Sequence, residues 1–181
     1  MNLPNRISLI RVALIPAIVI LLQFPSPVCN GFALALFVLA SFSDWLDGHL
    51  ARKHGDVTNF GKFLDPVADK LLVLSTMIAL CGLGRFPAWV CVVVLFRELA
   101  VDGLRLAAIE RGRVIAAGKL GKIKTTLQML AVIVVLLNNA PFGAFPMDQI
   151  LIYAAVLMTL WSGVDYFIRN GSVLKQDGGA A

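Results

Sequence analysis

The sequence is poor in charge and in the residues on which soluble enzymes draw. Charged residues make up 15% of its 181 residues, where a soluble domain carries about a quarter. It has two histidines, two tyrosines and three cysteines. Cys29, Cys81 and Cys91 are odd in number, form no CxxC pair and sit in or beside apolar runs, so they read as buried thiols rather than disulfide or metal partners. There is no internal repeat, no low-complexity segment and no alternating apolar/polar stretch of the kind a barrel strand shows. With 59% hydrophobic residues, this shortage of charge excludes a disordered chain, a collagen-like fibre and an ordinary cytosolic enzyme. The segment Gln23–Asn30 offers no A-x-A cleavage site, so the first apolar run reads as retained rather than as a removed signal peptide.

What is present is a set of six apolar runs: Leu9–Phe24, Gly31–Phe42, Pro66–Leu83, Phe86–Leu95 continuing to about Ile109, Thr125–Leu137 and Ile150–Ile168. Their continuity favours helices, the elements that satisfy every backbone group within hydrocarbon. A span needs about 20 residues, so the shorter runs must extend into their charged ends. The fold expected is an all-α integral membrane protein with six transmembrane helices, one domain over 1–181, and a flexible tail over 171–181. Pro25–Pro27, Gly82–Gly84 and Pro141–Gly143 read as tight turns. Of the 16 Lys and Arg residues, only Arg85 falls at these three turns. The positive-inside rule then puts both termini and the basic junctions in the cytoplasm.

One polar constellation interrupts this pattern. Asp44 and Asp47 are three residues apart and Asp65 and Asp69 four apart, so each pair shares a helix face. A polar loop over Lys53–Leu64 would let the two helices return antiparallel and bring all four carboxylates to one membrane boundary. A carboxylate at the bilayer centre costs about 2.5–3.5 kcal/mol, and less near the interface. Four like charges also repel. Divalent cations relieve both costs, and an oxygen-only donor set suits Mg2+ or Mn2+. Blander roles exist for single residues: Asp65 as an N-cap with Pro66 at N1, Asp47-Gly48 as a turn, Asp44 paired with Arg52. Gly48, Ala51 and Gly61 allow close approach of a ligand or a helix. Arg52 is able to fork onto a phosphate, and Thr58 is a candidate donor. His49 and His54 have no metal-binding partner in the pattern and read as surface histidines.

The stretch Asp44-x2-Asp47-Gly48-x2-Ala51-Arg52-x8-Gly61-x3-Asp65-x3-Asp69 resembles the full signature of the CDP-alcohol phosphotransferase family, with all eight positions in register. The resemblance implies a six-helix membrane enzyme, a homodimer, that uses Mg2+ or Mn2+ to move a phosphatidyl group from CDP-diacylglycerol to an alcohol and release CMP. It implies two metal ions, one on Asp44, Asp47 and Asp65 and the other on Asp44, Asp65 and Asp69. It also implies contacts of Gly48, Arg52, Thr58 and Asn5 with the CDP-diacylglycerol head, room from Ala51 and Gly61, and Asp69 as the general base.

The segments Asn2–Arg11, Arg97–Arg105 and Glu110–Thr125 are similar to bacterial members of the family whose acceptor is sn-glycerol 3-phosphate, which implies a bacterial inner membrane. From the residues alone, Arg97 and Arg105 share a helix face and Lys122 and Lys124 open the next helix. Together they are candidates for the acceptor phosphate, since cations in a membrane helix are costly unless paired or solvated. Two internal salt bridges, Arg97–Glu98 and Asp102–Arg105, are the alternative. Inositol phosphate would want the same charges, and the similarity outside the signature favours glycerol 3-phosphate. A divalent-cation transporter is the rival of a different class, but it would spread its acids through the membrane depth.

Overall fold

A computed structural model describes residues 3–54, 59–113, 115–116 and 118–171, with side chains described for 8–43, 66–113, 115–116 and 118–171. The described residues form six α-helices and one short 3-10 turn, with no strand. The helices are α1 (Leu3–Leu22), α2 (Pro27–His54), α3 (Asn59–Gly82), α4 (Ala88–Glu110), α5 (Lys119–Leu136) and α6 (Met147–Asn170). Each apolar run became one helix, and the helices run on through the charged ends. α2 continues past Phe42 to His54, and α3 begins seven residues before Pro66. The expected loop over Lys53–Leu64 is corrected in part: residues 53–54 and 59–64 are helical, and 55–58 lie outside the described set. The tail expected over 171–181 lies outside it too, apart from Gly171.

By length and composition, one described helix is able to cross a bilayer on its own account, α6 at 24 residues; Ser8–Leu22 and Pro27–Ser43 are shorter apolar stretches. α4 and α5 carry charged residues within their length.

Two compact units are present, one of residues 1–87 with 132–148 and the other of 88–131 with 149–181. In the first, α1 packs on both α2 and α3, which touch each other less. Ile15, Ile18 and Leu22 of α1 are buried at helical spacing, as are Ala33, Phe37 and Ala40 of α2 and Leu72, Met77 and Leu80 of α3. The opposite faces are also apolar: Ile20, Phe32, Leu39 and Ile78 are more than half exposed. Pro16 and Pro66 lie inside α1 and α3, where each removes one helical hydrogen bond.

The turns close by recognisable chemistry. At the end of α3, Gly84 N–H donates to the Cys81 carbonyl at 2.9 Å and Arg85 N–H to Leu80 at 2.9 Å, with Gly84 at φ 70°. This is a Schellman cap, and it needs a residue that tolerates the left-handed region. Gly112 at φ 69° caps α4 in the same way, and Asn138 at φ 52° caps α5. Arg85, at the turn after α3, has a structural role. Its Nη1 donates to Asn30 Oδ1 at 2.7 Å and its Nη2 to the Val135 carbonyl at 2.5 Å and Asn138 Oδ1 at 2.7 Å. Burial lowers its pKa from the ordinary arginine value, and the cluster of acceptors at the negative end of α5 compensates.

The second unit is held by a small apolar cluster, Val101, Leu104, Ala108 and Tyr166, with Ala107 and Ile115 beside it. A ring contact between Trp89 and Tyr153 adds to it, with centroids 6.2 Å apart. All three cysteines are free thiols.

Candidate active site

α2 carries Asp44, Asp47, Gly48, Ala51 and Arg52, and α3 carries Gly61, Asp65 and Asp69, all in continuous α-helix. The backbone removes two of the bland alternatives. Asp47-Gly48 is no turn, because α2 is helical for six residues beyond it. Asp65 is no N-cap, because α3 starts at Asn59 and Pro66 lies inside it. Glycine inside a helix costs about 1 kcal/mol relative to alanine, so Gly48 and Gly61 stand where ordinary helix propensity would not put them. The side chains of Asn5, Asp44, Asp47, Gly48, Ala51, Arg52, Gly61 and Asp65, and all of Thr58, lie outside the described set, as does the Asp44–Arg52 pairing.

Asp69 is described. It is half-buried next to the fully buried Ala68, and its Oδ1 is closed to solvent. In the same unit, α1 carries two buried polar residues that sequence reasoning passed over, Ser8 and Arg11. Arg11 is 2% exposed and its Nε donates to the Ala40 carbonyl at 3.2 Å, one helical turn before Asp44. The i, i+3 spacing of Ser8 and Arg11 on an otherwise apolar helix was the available signal.

The second unit holds the other candidate cluster. Arg97 and Lys124 both donate to Glu98 Oε1, Arg97 from Nη1 at 3.1 Å. Their side chains are 12% exposed for Arg97, 5% for Lys124 and 6% for Glu98. The expected Arg97–Glu98 bridge is present. Arg105 turns instead to Tyr166, donating from Nε to the phenol oxygen at 3.0 Å with its guanidinium 5.6 Å from the ring centre. An Asp102–Arg105 bridge is thus replaced by a hydrogen bond and a cation–π contact. Lys122 is exposed, since a two-residue step on a helix turns about 200° and Lys124 faces inward. Of the four basic candidates, then, Arg97 and Lys124 are gathered on one carboxylate, Arg105 sits two turns along α4 from Arg97, and Lys122 is apart.

Further along α5 and α6 the buried polar groups continue. Gln128 Nε2 donates to Thr159 Oγ1 at 3.0 Å, Thr159 to the Ala155 carbonyl at 2.6 Å, and Ser162 to the Thr159 carbonyl at 3.1 Å. Helical hydroxyls that bond back one turn keep polar atoms satisfied where water is scarce.

Among the described residues no group of three or more His, Cys, Asp or Glu side chains is close enough to hold a metal; three of the four signature aspartates are not in that set. The donor set itself is oxygen-only and anionic, which fits a hard dication.

Comparison with known proteins identifies the family. Residues 1–161 match the family model for CDP-alcohol phosphatidyltransferase. The chain is similar to a Bacillus subtilis protein named CDP-diacylglycerol–glycerol-3-phosphate 3-phosphatidyltransferase, at 46% identity over 96% of this chain and 97% of that one. A Rickettsia typhi protein of the same name is 37% identical over 92% and 95%. A Mycobacterium tuberculosis protein named probable phosphatidylglycerophosphate synthase is 41% identical over 93% and 81%. With an eight-position signature on two helices and a family match spanning most of its length, this chain belongs to the CDP-alcohol phosphatidyltransferase family.

Proposed function

We propose that this chain transfers the phosphatidyl group of CDP-diacylglycerol to sn-glycerol 3-phosphate, giving phosphatidylglycerophosphate and CMP, as an enzyme of phospholipid biosynthesis. The observation that carries the reading is the signature from Asp44 to Asp69, complete in sequence, with its eight residues on the helical backbone of α2 and α3. Near full-length similarity to proteins named for that reaction supports it.

Asp44, Asp47, Asp65 and Asp69 would hold two Mg2+ or Mn2+ ions, which when bound supply charge neutralisation at the pyrophosphate and at the departing CMP. Gly48, Arg52, Thr58 and Asn5 hold the CDP head, with Ala51 and Gly61 leaving room for it. Arg97 and Lys124, with Arg105, bind the acceptor's phosphate. Asp69 accepts the proton of the acceptor hydroxyl. That oxygen bonds to the β-phosphorus, which carries the diacylglycerol, and the bond from this phosphorus to the bridging oxygen breaks, so CMP leaves with the electron pair. Alignment and charge compensation supply most of the rate.

The chain spans the bilayer six times with both termini cytoplasmic, in a bacterial inner membrane, and works as a homodimer. Apolar residues on both the inner and outer faces of the helices support lipid as the solvent. The deciding experiment is CMP release by purified protein with and without glycerol 3-phosphate and Mg2+. Release that needs both is expected. Release driven equally by inositol phosphate would assign another acceptor, and none under any condition would defeat the reading.

A further inference from the structure

The buried triad of Arg97, Glu98 and Lys124 has one feature that a plain salt bridge would not leave. Glu98 takes Nη1 of Arg97 and Nζ of Lys124. The Nε of Arg97 is buried with no hydrogen-bond partner. Nη2, on the same edge as Nε, faces Gly121 of α5, where an added Cβ would stand 3.8 Å away. Arg97 therefore keeps one whole edge, Nε and Nη2, uncommitted in a protein interior. That edge is the pair of parallel donors that matches two oxygens of one phosphate. On the other side, Gly163 of α6 lies against the stem of Arg97, and a Cβ there would come within 3.2 Å of Cγ.

We propose that Glu98 is the positioning residue of the acceptor pocket: by holding Nη1 of Arg97 and Nζ of Lys124, it aims the Nε–Nη2 edge of Arg97 at the acceptor's phosphate. Gly163 is the second part of the device, because it leaves Arg97 the path it takes. The inference rests on the reading that the acceptor's phosphate binds at Arg97 and Lys124, and it assigns roles to two residues outside that phosphate contact. Within the triad, a carboxylate set between two cations offsets their mutual repulsion. Without Glu98, two buried cations would face each other and separate.

The test is steady-state kinetics on the full-length protein in detergent, varying glycerol 3-phosphate and CDP-diacylglycerol in turn. Glu98→Gln is expected to raise the acceptor KM about tenfold while leaving the CDP-diacylglycerol KM within about twofold. Gly163→Ala changes no charge and is expected to show the same split, by pushing on Arg97. The double variant is expected to be no worse than the more impaired single one, because both act on one side chain. Arg97→Gln is run alongside to test the pocket itself. If Arg97→Gln raises the acceptor KM while Glu98→Gln and Gly163→Ala do not, the positioning role is overturned and the pocket stands. If Arg97→Gln leaves the acceptor KM unchanged, the pocket reading fails and this proposal with it. A lower acceptor KM in Glu98→Gln would make Glu98 a competing anion, and equal rises in both KM values would make it a folding residue; either overturns the proposal. If Glu98→Gln does not fold, Gly163→Ala decides.

Discussion

Asp69 and Lys124 are the residues at which sequence and chemistry meet most directly. A general base at Asp69 needs only to be ionised and placed. Asp69→Asn keeps the size and removes the proton acceptor. It is expected to lower kcat by at least about a thousandfold, while CDP binding, followed by competition with CDP-diacylglycerol, persists. The two lysines of α5 make a sharper contrast. Lys124 is buried against Glu98 and Lys122 is exposed. Lys124→Ala should raise the acceptor KM about tenfold or more, and Lys122→Ala by less than about threefold, because an exposed charge is screened. Equal effects in the same kinetic series would show that burial is not what matters there.

Among the elements, the turn after α3 shows how a residue that looks misplaced by topology is used. Arg85 is the exception to the basic asymmetry of the loops, and it ties the start of α2 and the end of α5 to the cap of α3. Each hydrogen bond from a charged donor is worth about 1.5–3 kcal/mol, less where water replaces it. Arg85→Ala is therefore expected to lower the thermal midpoint in detergent by about 5 °C or more with kcat near normal below the transition. Arg85→Lys should recover only part of this, lacking the planar fork. Burial lowers the folded-state pKa of Arg85, so its desolvation cost applies below that pKa and is relieved only as pH rises through it. The guanidinium nevertheless stays charged throughout the neutral range, and the clamp should contribute equally at pH 6 and pH 8. The helices also explain two features that looked ordinary in sequence: continuous helix through Asp47-Gly48 and Asp65-Pro66 turns a presumed turn and a presumed cap into positions along one face.

For the molecule as a whole, topology is the claim to test. Reporter fusions placed after Asn170 and within residues 111–118 should read as cytoplasmic, and a fusion at Gly143 as external. Either terminus found outside would remove the orientation drawn from 15 of 16 basic residues. Among the described residues α6 passes as a span by composition, while α4 and α5 carry charged residues within their length. That is the expected cost of putting charged chemistry on membrane helices rather than on loops.

The number and order of the helices were legible from continuous apolar runs, since lipid demands that each be helical. The acidic signature was legible because helical period places residues three and four apart on one face. The extent of the helices was not: polar residues such as 53–54 and 59–64 resemble loop until neighbouring turns carry them as helix. The Arg97–Glu98 pair was legible along α4, but the partners that lie on other helices, Glu98 for Lys124 and Tyr166 for Arg105, were decided only by tertiary structure. Arg97 and Arg105 are equivalent by spacing, yet one meets Glu98 and the other Tyr166. Local sequence sets the direction a side chain leaves its helix, but which group waits there depends on a second helix whose approach no local pattern encodes.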